Sequence, residues 1–275
     1  MSKPRRSWPR ALGVAKPTTE RTGGISRKTL AALAAVVTLL AAVAVVTALA
    51  ATSPTSGSAA RDSQIDKEVD ALLAGIPQAG NTLGRPNAPV TLQVFGDLEC
   101  NDVQHWVLRL LPAIIRKYVR PGILKIQYRS FRTDTLIRPV FVNQQQAALA
   151  AGAQDKLWNF IEIFYHEQGP EYTPYVTERY LDAIATQVPG LDLTHWHTER
   201  VIGRFAARVV SDDRTARTEG FHDTPAFMIG HTGGRLRKLV GREIIKYFHQ
   251  PNPVSLINVE DLHKAINELH LPPTA

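Results

Sequence analysis

The sequence contains one cysteine in 275 residues, Cys100. This residue lies in the stretch FGDLECNDV, where an alternating apolar segment gives way to a segment of helical character. A cysteine at a helix start has its thiolate favoured by unpaired N–H groups and the helix dipole, by about 0.3 to 1 kcal/mol at an exposed site. A thiolate is the form that attacks disulfides. We therefore predict Cys100 as the catalytic residue of a thiol chemistry.

Two acids beside the cysteine oppose this activation. A carboxylate such as Glu99 or Asp102, about 7 Å from the sulfur, opposes a thiolate by roughly 0.6 kcal/mol in water and 2.4 kcal/mol at an effective dielectric near 20. These energies match the helix effect in size, so strong activation is not expected. Acids in a first helical turn also stabilise the helix start by themselves. Two interpretations stay open: a surviving monothiol chemistry, and a domain in which that chemistry is lost or weakened.

The net charge of +7 comes from one end of the chain. Residues 1–28 hold eight lysines and arginines against the single acid Glu20, and the remaining sequence is formally neutral. A basic face for nucleic acid is therefore not expected. The sequence also lacks a phosphate-binding loop and a G-x-S-x-G motif. We predict neither a nucleic-acid partner nor a cofactor.

An uncharged apolar run follows the basic tail. It begins at Thr29, ends at Ala51 and contains Leu, Val, Ala and Thr alone. As a helix it would be about 35 Å long, enough to cross a hydrocarbon core of roughly 30 Å. The positive-inside rule puts the basic tail in the cytoplasm and the rest of the chain outside. A cleaved signal peptide is the alternative, since Ala48-Leu49-Ala50 resembles a cleavage site.

The sequence after this run predicts an α/β domain with a helical middle section. We expect a cytoplasmic tail at 1–28, a membrane helix at 29–51, a linker with a short amphipathic helix at 52–83, and a domain at 84–275. Apolar periodicity and turn residues predict these elements in order: strand 90–95, helix 101–119 kinked at Pro112, strand 123–131, helices 143–166, 174–188 and 193–218, strands 225–229 and 235–240, and helix 259–270.

Three stretches resemble the DsbA-like branch of the thioredoxin superfamily. These are LGRPNAPVTLQVFGDLEC, the later DTPAFMIG, and NQQQAALAAGAQDKLWNFIEIFYHEQ between them. The resemblance implies a thioredoxin-like fold with a helical insertion at about 138–218. It also implies a cis-proline at Thr224-Pro225, opposite Cys100, with a groove that binds an extended peptide. A purely structural turn at Thr224-Pro225 is the alternative.

The sequence departs from that family at the active site. Family members carry C-P-x-C, whereas this chain has Val103 in place of the second cysteine. A single molecule therefore cannot form an intramolecular disulfide. The function implied is a membrane-anchored, extracytoplasmic thiol-disulfide oxidoreductase with monothiol or degenerate activity, acting on extracytoplasmic proteins or peptides with thiols, with a low-molecular-weight thiol as a possible partner. The alternative is a non-catalytic peptide-binding module.

Alternate histidines at His195 and His197 can share a metal ion. No cluster of cysteines or carboxylates accompanies them in sequence, and they fall at a predicted helix start. We interpret them as exposed helix residues and predict no metal site.

Overall fold

The computed structural model of the chain describes residues 56–245 and 254–270. The basic tail and the apolar run predicted as a membrane helix lie outside these residues. Within the described ranges, no helix combines the length and apolar character needed to cross a bilayer.

The described elements have strands towards both ends of the domain and a block of five helices between them. In chain order they are α1 (Ser56–Leu73), β1 (Gln78–Ala79), β2 (Thr82–Leu83), β3 (Val90–Gly96), α2 (101–119), β4 (Leu124–Ser130), α3 (Arg138–Gly152), α4 (Leu157–His166), α5 (Glu178–Gln187), α6 (Leu193–Val201), α7 (Ala206–Thr218), β5 (Ala226–His231), β6 (Arg237–Leu239), β7 (Glu243–Ile245), β8 (Val254–Leu256) and α8 (Val259–Glu268).

Strands β1 to β6 form one mixed sheet in the order β1-β2-β4-β3-β5-β6. The central strand β3 runs parallel to β4 and antiparallel to β5. Helix α2 makes the crossover that a parallel pair requires. Because β3 and β4 are parallel, the loops that follow them meet at the same edge of the sheet. This edge carries Cys100.

The predicted order of strands and helices is confirmed, with additions at both ends. The hairpin β1–β2 pairs with β4 and begins the sheet at Gln78, ahead of the boundary predicted at 84. Strands β7 and β8 form a separate antiparallel pair. Sequence patterns missed these four strands because each has only two or three residues, too few for alternation to register.

Two helical tracts predicted as continuous are each broken in the structure. The tract 143–166 divides into α3 and α4, and Asp155 lies between them with φ of 58°. The tract 193–218 divides into α6 and α7, and Gly203 lies between them with φ of 63°. Left-handed residues end α-helices, and Asp and Gly adopt this conformation more easily than other residues.

The helix start predicted at Thr173-Pro174 is wrong. The Thr173 hydroxyl donates to the carbonyl of Pro170 at 2.6 Å and so stabilises a turn. Helix α5 begins four residues further on, at Glu178, and the hydroxyl of its N-cap residue Thr177 accepts from the backbone N–H of Tyr180 at 3.2 Å. Two threonines offered the same capping chemistry, and tertiary packing decides between them.

Helix α2 accommodates Pro112 by widening. A short α-helical segment, Leu111–Ile114, carries the proline and is flanked by the π-helical turns Trp106–Leu110 and Ile115–Val119. Proline has no N–H to donate to the preceding turn, and π-helical turns occur as short interruptions inside α-helices. The helix therefore continues to Val119.

Three fully buried tryptophans connect their helices to neighbouring segments of the chain. Their indole N–H groups donate to backbone carbonyls: Trp106 to Ile257 at 3.0 Å, Trp158 to Asn81 at 3.3 Å and Trp196 to Ala147 at 2.8 Å. Each ring thus buries a large apolar area without an unsatisfied donor.

Candidate active site around Cys100

Cys100 is the N-cap residue of helix α2. Its backbone is extended, with φ of −76° and ψ of 124°, and its carbonyl accepts from the N–H of Gln104 at 3.1 Å. The residue is 3% exposed. The predicted position at a helix start is confirmed, but the thiol is buried.

The Cys100 thiol faces the loop that the sequence predicted to lie opposite it. The S–H group donates to the carbonyl oxygen of Thr224 at 3.4 Å, and the Thr224–Pro225 peptide bond is cis. The Thr224 hydroxyl lies 2.6 Å from that of Thr133, in the loop after β4. Three separate loops therefore meet at the sulfur.

A shallow groove continues from Pro225 along the end of β5. Its volume is about 260 Å³, and it is lined by Phe221, Asp223, Phe227 and Val240, among others. Pro225 of the cis-proline loop forms one wall of it.

Two carboxylates lie against the thiol. One oxygen of Asp134, one oxygen of Glu171 and the Cys100 sulfur all lie within 4.8 Å of one another. Asp134 accepts from the Tyr172 hydroxyl at 2.9 Å, and Glu171 accepts from the N–H of Asn101 at 2.7 Å. These bonds fix both carboxylates beside the sulfur. Sulfur and carboxylate oxygens are also atoms that divalent cations accept as ligands, and no other such group of three lies in the described ranges.

The surroundings of Cys100 favour the neutral thiol. Burial raises the pKa of the thiol well above its ordinary value, and the negative charge of Asp134 raises it further. Hydrogen bonds from Thr224 and from the backbone N–H of Val103 lower the pKa, whereas Asp102 raises it. A carboxylate at 4.8 Å opposes a thiolate by about 3 kcal/mol at an effective dielectric near 20. That exceeds the contribution of a helix N-terminus.

The sequence prediction that Glu99 opposes the thiolate is not supported by the site. Glu99 is 5% exposed and accepts from the side-chain amide of Gln144 at 3.3 Å. Burial raises its pKa to about 7, and Asp97 adds to the rise. The expected unfavourable charge instead comes mainly from Asp134, with Asp102 in a smaller role.

Asp97 places Asp134 at the sulfur. One oxygen of the buried Asp97 carboxylate accepts from the backbone N–H groups of Thr133, Asp134 and Thr135 at 3.0, 3.0 and 2.9 Å. The other oxygen accepts from the N–H of Glu99 at 3.2 Å. Asp97 thus ties the loop after β4 to the loop that leads into Cys100.

Sequence reasoning missed Asp97, Asp134 and Glu171. A signal existed for Asp134, because it follows the second predicted strand of a strand–helix–strand unit, and the two strands of such a unit are commonly parallel and end at the same edge of a sheet. Glu171 lies in a loop of the helical insertion. Nothing in the sequence around Glu171 predicts that this loop lies at the active site.

His195 and His197 lie on helix α6, away from this cluster. Each faces one carboxylate: His195 lies 3.4 Å from Glu199, and His197 lies 3.7 Å from Asp182. Both side chains are about half exposed. They occupy surface positions on the helix.

Comparisons with known proteins agree with this geometry. The family described as Thioredoxin matches residues 78–235. Two curated relatives bear the name "Probable disulfide bond formation protein D". The one from Bacillus anthracis is 22% identical over 60% of this chain and 78% of its own length. The one from Bacillus cereus is 25% identical over 41% of this chain and 52% of its own length.

Two solved structures share the fold. BdbD from Bacillus subtilis, in its oxidised form, has a TM-score of 0.53 and 18% identity, over 70% of this chain and 96% of its own. The alpha-DsbA1 protein of Wolbachia pipientis has a TM-score of 0.53 and 18% identity, over 72% of this chain and 92% of its own. With the family match and the cis-proline opposite Cys100, these likenesses identify the chain as a member of the DsbA-like branch of the thioredoxin superfamily.

Proposed function

We propose that the chain is a membrane-anchored thiol-disulfide exchange protein that works outside the cytoplasm through Cys100 alone. The single observation that carries this proposal is the contact between the Cys100 thiol and the Thr224 carbonyl of the cis-proline loop. A thiol at this place can meet an extended peptide that binds along the loop. The names of the two Bacillus relatives support the reaction class.

The chemistry consists of two exchange steps. The Cys100 thiolate attacks one sulfur of a partner disulfide, a new disulfide forms to Cys100, and the partner's other sulfur leaves as a thiolate that takes up a proton. An outside thiolate then attacks the mixed disulfide and releases Cys100 as a thiol. Val103 stands where a second cysteine would resolve the intermediate, so the outside thiol is required. Electrons move between sulfur atoms only, and no cofactor takes part.

The partners are extracytoplasmic proteins or peptides with thiols or disulfides. Thr224 and Pro225 are the residues proposed to hold the partner chain, through backbone contacts beside the sulfur. A low-molecular-weight thiol is suited to the second step because it can reach a buried mixed disulfide. Nucleic acid has no part in this function.

The anchor is the apolar run that begins at Thr29 and ends at Ala51. Its length and lack of charge support a membrane helix, and the basic residues before it support a cytoplasmic N-terminus. The domain then lies on the oxidising side, where disulfides persist and partners for exchange are available.

A non-catalytic peptide-binding module is the second candidate. The close approach of Asp134 to the sulfur favours it, because this carboxylate opposes the thiolate. In such a module the groove at Pro225 would bind a partner, and Cys100 would be dispensable.

The two functions differ in what happens to Cys100. We would treat the full chain with oxidised glutathione, follow the adduct by mass spectrometry, and then add reduced glutathione. Exchange predicts one adduct per chain, absent in Cys100→Ser and removed by the added thiol. If no adduct forms up to about pH 10 in the unaltered chain or in Asp134→Asn, which lacks the charge that opposes the thiolate, while a peptide still binds the groove at Pro225, Cys100 is not the working residue and the binding module is correct.

A further inference from the structure

An apolar pocket lies beside the carboxylates that flank Cys100. Its walls come from the loop after β4 and from the insertion: Leu136, Ile137, Val140, Tyr172, Pro174 and Val176. Its volume is about 160 Å³, below the range of roughly 300 Å³ and more that is usual for sites of small organic ligands. The space suits one or two apolar side chains.

The rim of this pocket consists of large apolar side chains that are exposed to solvent. Leu136 is 66% exposed, Ile137 56% and Tyr172 52%. These three are among only seven large hydrophobic residues that are exposed in the described part of the chain. Exposed apolar residues gathered at one place mark an interaction surface.

Tyr172 connects the pocket to the carboxylates. Its backbone has φ of 61°, a conformation that is an outlier for a bulky residue and is concentrated at ligand clamps. Its ring lines the pocket, and its hydroxyl donates to Asp134 at 2.9 Å. An apolar wall and an anionic group are thus held side by side.

The carboxylates next to the pocket have no cationic partner in the described ranges. Asp134 and Glu171 form no ion pair there, and neither does Glu99 at the pocket floor. Asp223 adds a further acid near Asp134, with His222 beside it. A partner that brings a cation next to an apolar side chain would therefore complement this surface.

We propose that the pocket and the Asp134–Glu171 pair bind an extended peptide that carries a large apolar residue next to a lysine or arginine. This inference rests on the proposed function, because it names the substrate class of the same site. The apolar side chain enters the pocket at Ile137 and Tyr172, and the basic side chain reaches the two carboxylates. A basic group placed there also offsets the charge that opposes the Cys100 thiolate, so the preferred substrate assists its own reaction.

The test uses short peptides that contain no cysteine. Three fluorescein-labelled peptides in one Gly-Ser background carry Leu-Lys, Leu-Glu or Ser-Lys, and anisotropy measures their binding to the full chain. We expect Leu-Lys to bind at least tenfold more tightly than the other two, with affinity that falls as salt rises. Equal affinity for Leu-Lys and Leu-Glu would overturn the proposal.

Variants locate the site. Asp134→Asn, Glu171→Gln and Ile137→Ser should each weaken Leu-Lys binding at least fivefold, and the first two should also reduce its salt dependence. Asp70→Asn, an exposed acid on α1, and Val201→Ser, an 86% exposed apolar residue on α6, are the matched controls and should change nothing. Unchanged binding in Ile137→Ser would refute the peptide site. A dimer in sedimentation that Ile137→Ser converts to a monomer would also refute it, because a second copy of the chain would then cover the pocket.

The result separates this inference from the proposed function. Because the peptides lack cysteine, Cys100→Ser should bind Leu-Lys as well as the unaltered chain does. If the unaltered chain binds Leu-Lys but does not exchange with glutathione, the monothiol chemistry alone is refuted. If the unaltered chain exchanges with glutathione but binds the three peptides equally, the proposed substrate class alone is refuted.

Discussion

The carboxylate of Asp134 lies within 4.8 Å of the Cys100 sulfur, although 34 positions separate the two residues in the chain. Asp97 holds the intervening loop in place through three backbone N–H groups. The same scaffold that presents the thiol to the cis-proline loop therefore also presents an anion to the thiol. Cys100 is thus poised for encounter with a partner but held in its protonated form.

Replacing Asp97 tests whether it positions Asp134. In Asp97→Asn the amide cannot accept from all the donors that the carboxylate serves, and a buried unsatisfied group costs about 1–3 kcal/mol. We expect the free energy of unfolding in urea to fall by about 2 to 3 kcal/mol, and alkylation of Cys100 to become faster as Asp134 is released.

The exposed acid Asp70 supplies the control for this change. Asp70→Asn should alter neither quantity. A stability loss in Asp97→Asn with no change in alkylation would mean that Asp97 supports the fold but does not position the charge.

Restoring a second cysteine tests the geometry of the helix start. Val103 lies three residues after Cys100 in the first turn of α2, where side chains at i and i+3 are neighbours, and a disulfide needs Cα atoms about 4.4 to 6.8 Å apart. Val103→Cys should therefore lose both free thiols after mild oxidation. Val107→Cys, one turn further along the helix, should keep both. Two free thiols in oxidised Val103→Cys would show that Cys100 is not at a thioredoxin-type helix start.

The same background measures the influence of Asp134 on redox behaviour. A nearby anion disfavours the reduced thiolate, so the dithiol pair in Val103→Cys should be a weak oxidant. Adding Asp134→Asn should raise the reduction potential by about 30 mV for each tenfold change in the exchange equilibrium. Titration against glutathione measures this shift, and an unchanged or lower potential would contradict the assignment.

Glu162 makes stability depend on pH. Its side chain is buried in α4, its Oε1 has no hydrogen-bond partner among the described residues, and burial raises its pKa to about 8. The folded state therefore keeps a proton that the unfolded state loses near its ordinary value of 4.5. The contribution of Glu162 to the free energy of unfolding is therefore fully present below about pH 4.5 and is lost as pH rises towards 8.

Glu162→Gln should remove this dependence. The gap in unfolding free energy between Glu162→Gln and the unaltered chain should grow from about pH 5 to about pH 9, by at most about 5 kcal/mol. The exposed Glu260→Gln on α8 serves as control and should show a constant gap. A gap that does not change with pH for Glu162→Gln would show that the side chain is ionised in the folded protein.

The predicted membrane helix places the N-terminal tail in the cytoplasm and the domain outside it, and protease digestion tests this topology. Protease added to spheroplasts should remove the domain and leave residues 1–28 protected. Digestion of the tail with a protected domain would reverse the orientation, and a mature chain that starts near Ala51 would indicate a cleaved signal.

The sequence predicted the parts of this protein that local patterns determine. The alternation of Val90, Leu92 and Val94 identified β3, and the motif at Thr224-Pro225 identified the loop opposite Cys100. The ends of the helices were harder to predict, because Asp155 and Gly203 end helices through left-handed backbone conformations that residue type alone does not determine. The charge at the site was hardest, because Asp134 and Glu171 reach the sulfur through tertiary structure and Glu99, its sequence neighbour, turns away.

The rate at which iodoacetamide modifies Cys100, measured from about pH 6 to about pH 10, tests most directly whether the site is a monothiol suppressed by burial and by the charge of Asp134. An ordinary cysteine titrates near about pH 8.5. We predict that the unaltered chain reacts slowly below about pH 9, that Asp134→Asn reacts at least tenfold faster at about pH 7.5 with a lower midpoint, and that Asp70→Asn matches the unaltered chain. A rate that already reaches its plateau below about pH 8 in the unaltered chain, or one that Asp134→Asn leaves unchanged, would contradict the account.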